Sequence, residues 1–155
     1  MKVTRRSFLK GSGGMTVMAL AASAGLIKLE PAYAAWNEAA FKTKSVNETV
    51  KALGGQAAVE SKDIQIASPD IAENGAVVPV SVTSKLANTE SIAILVEKNP
   101  NALSANFVIP EGTEAFVSTR VKMGQTSNVT ALVKAGGKYF YTTKEIKVTL
   151  GGCGG

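Results

Sequence analysis

From Lys62 onward the chain alternates between apolar and polar residues with a period of two. Ile64 and Ile66 open the pattern, and Val78, Val80 and Val82 continue it with Ser81 and Thr83 between them. Alternation of this kind predicts strands with one face buried. Pro79 lies inside the second run and lacks an N–H, which predicts an edge strand or a bulge there. Ile92 to Val96 is nearly continuous in apolar residues, the pattern of a central strand covered on both faces. Phe107-Val108-Ile109 follows, and then Val117, Thr119, Val121 and Met123 alternate with Ser118, Arg120 and Lys122. Val129, Ala131 and Val133 lead into a tight Gly136-Gly137 turn and a strand from Tyr139 to Thr143. A last run sets Ile146, Val148 and Leu150 on one face and Lys147 and Thr149 on the other. Only the segment before this region has helical spacing. Ala35 to Leu53 reads as helix, with Trp36, Ala39, Ala40 and Phe41 on one stripe. Ser45-Val46-Asn47-Glu48 fits a capping box for a second helical stretch, and Gly54-Gly55 stops it.

The result is seven or eight short strands punctuated by Ser68-Pro69-Asp70, Glu73-Asn74-Gly75 and Asn99-Pro100. We therefore expect a mainly β fold, an immunoglobulin-like antiparallel sandwich with an N-terminal helix. The Cys–Trp–Cys core of antibody domains is absent, since the single Trp lies in the helical segment. The expected organisation is 1–34 signal peptide, 35–55 helical segment, 56–150 sandwich and 151–155 a flexible glycine-rich arm.

The first residues change the charge picture. Thr4-Arg5-Arg6-Ser7-Phe8-Leu9-Lys10 has the form of a twin-arginine export signal built on Arg5 and Arg6. A weakly apolar run follows, and Ala32-Tyr33-Ala34 offers a small-x-small cleavage site between Ala34 and Ala35. Lys28 and Glu30 interrupt that run before it reaches the ~18 clean residues of a membrane span. The expected location is the periplasm, with no membrane association after cleavage. The whole chain carries 17 basic and 12 acidic residues. Residues 1–34 hold 5 of the former and 1 of the latter, which leaves 12 against 11. A nearly neutral mature domain gives no ground for nucleic-acid or membrane-surface binding.

Candidate chemistry is concentrated in one residue. The protein of 155 residues has one cysteine, Cys153, and no histidine. The missing histidine excludes Ser-His-Asp and Cys-His nucleophile systems and most zinc sites. We expect neither a catalytic residue nor a metal or other cofactor. In an oxidising compartment an unpaired cysteine is free, modified or bonded to another molecule. It ends the chain in Gly151-Gly152-Cys153-Gly154-Gly155, directly after the last strand. Glycines bury nothing and leave the backbone free, so the arm is slender. Three residues beyond Leu150 carry the thiol about 10 Å from the body at ~3.3–3.6 Å each. No histidine stands by as a base, and no second cysteine resolves a disulfide. A reference pKa near ~8.5 leaves little thiolate at neutral pH. Such a thiol is an attachment point that other proteins activate, and a tether keeps its passenger close to successive active sites.

Several segments together resemble the SoxY family, sulfur carriers of the thiosulfate-oxidising Sox system. They are the terminal Val148 to Gly155, Ala76-Val77-Val78-Pro79-Val80, Glu97-Lys98-Asn99-Pro100 and Ser118-Thr119-Arg120-Val121-Lys122, with the export signal in agreement. The resemblance runs over the whole chain and departs at Ala102, where the family often has proline. It implies that Cys153 receives thiosulfate oxidatively as an S-thiosulfonate, joined by a cytochrome-containing partner. A hydrolase then releases sulfate and leaves a persulfide, and further oxidation, by a sulfur dehydrogenase where the system includes one, resets the thiol. It also implies a heterodimer with SoxZ. Two other readings fit parts of the sequence. Gly154-Gly155 matches the terminus of a ubiquitin-like carrier, whose cytosolic activation conflicts with an export signal. Alternatively, Cys153 joins two subunits by a structural disulfide. Arg120 and Lys122 read as the solvated face of a strand, with partner docking or anion steering as the alternative.

Overall fold

The computed structural model describes residues 37–149, and the compact unit begins at Asn37. Two short helices precede the strands, α1 (Glu38–Phe41) and α2 (Val46–Ala52). Nine strands follow among the described residues: β1 (Ala58–Glu60), β2 (Ile64–Ala67), β3 (Ile71–Ala72), β4 (Val78–Ser84), β5 (Thr89–Val96), β6 (Leu103–Val108), β7 (Phe116–Val121), β8 (Ser127–Ala135) and β9 (Lys138–Val148). They form a six-stranded sheet in the order β1-β9-β8-β5-β6, with β3 also on β9, and a three-stranded sheet β2-β4-β7. This is the expected mainly β sandwich.

Alternation builds the core between the sheets. Val78, Val80 and Val82 from β4 meet Ile92, Ile94 and Val96 from β5 and Val129, Ala131 and Val133 from β8. All nine are fully buried, and each of the eight Val and Ile side chains among them contributes about 1.5–3 kcal/mol. β5 is covered on both faces, as its unbroken apolar run requires. Its other face sends Ala93 and Leu95 into a second cluster with Leu103, Leu132, Tyr139 and the helical residues Ala40 and Val50. The helices therefore cap the outer face of the larger sheet.

Their local signals work as expected, with two changes. Ser45 Oγ accepts from Glu48 N at 3.3 Å, while Glu48 Oε2 accepts from Lys44 N at 2.9 Å, one residue before the usual box partner. The stop is a Schellman turn: Gly55 N donates to Val50 O, Gly54 N donates to Lys51 O, and Gly54 takes φ +86°. Between the helices Thr43 Oγ1 donates to Ala40 O at 2.6 Å, which breaks the helical run. Ala39 faces solvent and not the stripe, and Trp36 lies outside the described residues. Tyr139 docks this segment by donating its hydroxyl to Leu53 O at 2.8 Å, and burial holds its phenol above the ordinary pKa.

Three further strand features depart from expectation. The Tyr139–Thr143 strand and the final run are one eleven-residue strand, β9. Pro79 is not on an edge strand, since β4 is central in its sheet. β2 pairs with β4 only over Ser81–Ser84, however, so Pro79 has β7 on one side and, among the described residues, no strand on the other. A missing N–H is harmless there. Finally, the sandwich is not wholly antiparallel. β1 and β3 both run parallel to β9, one toward each end, while β2 between them lies in the other sheet. The chain switches sheets twice in residues 58–72 and closes that side of the sandwich. On the opposite side β6 and β7 are the edge strands among the described residues.

Candidate functional site

β9 is the strand that leads to the predicted site, and its last residues are tied on both sides. Lys147 N donates to Asp70 O at 2.9 Å and Thr149 N to Ala72 O at 3.1 Å, both through the parallel strand β3. Val148 N donates to Thr126 Oγ1 at 3.0 Å. Lys144 adds a clamp, donating to Ser68 O at 2.7 Å and pairing with Asp70 Oδ1 at 2.8 Å. That hydrogen bond and charge hold the Asp70 carboxyl below its ordinary pKa. Ile146 is fully buried and Val148 packs on the core, so these two residues of the inward face are anchored as the sequence predicted, while Leu150 lies outside the described residues.

Three loops surround this end, and each is fixed to another. In the loop before β4, Asn74 Oδ1 accepts from Ala76 N at 2.9 Å, which shapes the turn. The buried Gly75 then accepts from Met123 N at 2.7 Å and sits against Val148. A Cβ on Gly75 would collide with the Met123 carbonyl. Asn99, from the β5–β6 turn, donates to Lys122 O at 2.7 Å, and Lys98 N donates to Ser127 Oγ at 3.0 Å. The chain beyond Thr149 thus starts from a rigid rim. Thr126, Lys144 and Gly75 make that rim, and none of them carries a sequence signal beyond a turn.

Beside the rim a cleft of about 470 Å³ runs between the edge strands β6 and β7. Asn99, Asn101, Ser104, Thr119, Arg120 and Lys122 line it with polar groups. Arg120 and Lys122 are exposed and form no ion pair among the described residues. A smaller cavity of about 240 Å³ lies on the outer face of the larger sheet, with Lys44 and Glu97 both in its lining.

Cys153, Gly151, Gly152, Gly154 and Gly155 lie outside the described residues, as do Arg5, Arg6, Ala34 and Ala35. Among the described residues no cluster of His, Cys, Asp or Glu is able to hold a metal ion, and no helix is long and apolar enough to cross a membrane. The described surface offers binding and positioning groups.

The family model for the sulfur oxidation protein SoxY matches residues 49–153, and its last matched residue is Cys153. The chain belongs to the SoxY family. The structure of the sulfur carrier protein SoxY from Chlorobium limicola f thiosulfatophilum is 36% identical, with a TM-score of 0.61, covering 67% of this chain and 96% of that one. A role as a carrier in sulfur oxidation follows from this membership of SoxY. Two variants of the superoxide reductase (neelaredoxin) from Ignicoccus hospitalis share the fold alone. One is 19% identical, with 58% of this chain and 82% of its own covered, and has a TM-score of 0.50. The other is 18% identical over 64% and 87%, with the same TM-score of 0.50. None of the curated proteins matches the chain.

Proposed function

We propose that this SoxY-family chain carries sulfur on Cys153 during thiosulfate oxidation in the periplasm. The observation that carries the reading is the family match running to Cys153, the one cysteine of a chain without histidine. The rim supports it: the strand is held firmly up to Thr149, so the glycine segment starts from a fixed point. Export through the Arg5-Arg6 signal with cleavage after Ala34, and pairing with SoxZ, belong to the same proposal.

Loading forms a bond between the Cys153 sulfur and the outer sulfur of thiosulfate. The thiol loses its proton, and two electrons pass to a cytochrome-containing partner, leaving an S-thiosulfonate. Water then cleaves the bond between the sulfane sulfur and the sulfonate. Sulfate and a proton depart, and a persulfide remains on the cysteine. In this reading partner proteins supply the base and the electron acceptor that the two steps require.

Intact-protein mass spectrometry of chain purified from thiosulfate-grown cells tests the proposal. The expected result is one or more adducts of sulfur or thiosulfate mass, removed by reductant and absent from Cys153→Ser. An unmodified thiol throughout growth, or a permanent disulfide dimer, overturns it.

A further inference from the structure

We propose that the cleft between β6 and β7 is an oxyanion site that receives the terminal sulfonate of the cargo on the chain's own arm. The inference rests on the carrier reading above and adds a resting place for the loaded state.

Four observations lead to it. The cleft is concave and polar, and Arg120 and Lys122 bring positive charge with no acidic partner among the described residues. The side chains of Asn101, Ser104 and Thr119 line it without a hydrogen-bonding partner there, which leaves donors for sulfonate oxygens. Asn99 holds the Lys122 carbonyl, so the cleft wall keeps its shape. Position decides the occupant. Gly75 touches both the Met123 backbone and Val148, and Met123 follows Lys122 directly. The start of the arm and Lys122 are therefore on the order of 10 Å apart, from ~3.8 Å per Cα step and the contacts between. Four residues from Thr149 to Cys153 span up to about 13–14 Å. The tether raises the local cargo concentration to roughly millimolar, so weak exposed contacts suffice.

Docking of this kind distinguishes the states of the carrier. An S-thiosulfonate ends in a sulfonate and docks. A thiol or a persulfide has no such group and does not. Release of sulfate by a hydrolase therefore also frees the arm. The other described cavities do not offer this combination: one has Glu97 as well as Lys44 in its lining, another has Glu111 as well as Lys85, and a third, with Lys138, lies at the hairpin end of β9, away from Thr149.

The test needs no partner enzyme. Tetrathionate reacts with the Cys153 thiolate to form the S-thiosulfonate and release thiosulfate, so the full ¹⁵N-labelled chain is loaded chemically. Amide resonances of Thr119, Arg120, Lys122 and Asn101 should shift on loading. A neutral methylthio adduct on Cys153 should leave them in place, and ~0.5 M salt should remove most of the shift. Arg120→Gln with Lys122→Gln should abolish it while loading still goes to completion by mass. Free thiosulfate added to Cys153→Ser should shift the same amides only at far higher concentration, which separates free from arm-borne anion. Equal shifts for neutral and anionic adducts, or responses confined to residues next to the arm, overturn the site. If the double variant fails to fold, the neutral-adduct and salt arms still decide. Cells whose carrier never holds an adduct defeat the carrier reading alone and leave the chemical result standing.

Discussion

The two ends of β9 are secured by different means. At its start the Gly136-Gly137 hairpin turns back on β8, with both glycines at positive φ. Glu90 steadies that turn from the neighbouring strand, accepting from Gly137 N at 2.7 Å and pairing with Lys134 at 2.7 Å. At its finish β9 is held by a two-residue parallel strand, a threonine hydroxyl and a lysine clamp, each brought from a distant part of the chain. A hairpin returns the chain to the sheet. The other end is gripped from the sides, so its anchors are lateral. On the proposed carrier function this asymmetry has a use: a firm origin would make the reach of a C-terminal arm definite.

Glycine substitutions separate the ends most strongly. Gly75→Ala forces a methyl group into the Met123 carbonyl and against Val148, and backbone on one side prevents easy relief. We expect a loss of about 2–3 kcal/mol in urea unfolding, as for overpacking of a tight site. Hydrogen exchange at the Lys147 and Thr149 amides should accelerate beyond that global change. Gly137→Ala meets no atom and only strains a backbone at φ +74°, so about 1–2 kcal/mol is expected, with no selective effect at Thr149. If both variants speed exchange at Lys147 and Thr149 equally, the two ends behave as one cooperative unit.

What the sequence reveals follows the same division. The hairpin is legible because its signal is local: two glycines between alternating runs. So are the capping box, the Schellman stop and the doubly covered β5, since each rests on neighbours within a few residues. β1 and β3 are not legible, because two or three residues beside a long strand make no pattern of their own. The fusion of two apparent strands into β9 was hidden by Thr142–Glu145, whose polarity resembles a break. The alternation did place β4, but it took the register with β2 to show why Pro79 is tolerated in a central strand. At the site, Cys153 stands out from residue counts and its glycine frame. Its rim does not, because Thr126 is 22 residues from Val148 and Ser68 is 76 from Lys144. Arg120 and Lys122 read as an ordinary solvated strand face until β6 supplied the other wall of a cleft.

A subtler variant sharpens the role of the lateral anchors. Thr126→Val keeps shape but removes the acceptor of the partly buried Val148 N–H. The expected loss is about 1 kcal/mol, the usual worth of such a bond. Exchange at the Val148 amide should rise more than at Ile146, which stays fixed by the core and by its pairing with Ser127. Equal protection at Val148 in variant and parent would mean that β3 alone secures the strand.

The smallest expected effect concerns acid. Each end of β9 has one carboxylate held below its ordinary pKa. A side-chain hydrogen bond from Lys144 lowers Asp70 at the arm end, and one from Lys134, followed by the Gly137 N–H, lowers Glu90 at the hairpin end. A folded-state pKa below the unfolded one means that stability is fully present above the unfolded value, roughly pH 4. It is lost as pH falls through the folded value, where the native state takes up its proton. Asp70→Asn and Glu90→Gln should therefore flatten the stability profile below about pH 4, with little change near neutrality beyond the loss of an exposed pair. Lys134 titrates in the opposite sense. Glu90 raises its pKa, so that contribution is complete below about pH 10.5 and fades as pH rises through the higher folded value. Glu90→Gln should remove the Lys134 share of the alkaline slope and leave the share due to the buried Tyr139 phenol, whose pKa is also raised, whereas Asp70→Asn should leave both. A urea-midpoint series from about pH 2 to 11 reads both limbs. The contrast between the ends fails if Asp70→Asn removes the Lys134 share too, or if neither variant alters the acid limb.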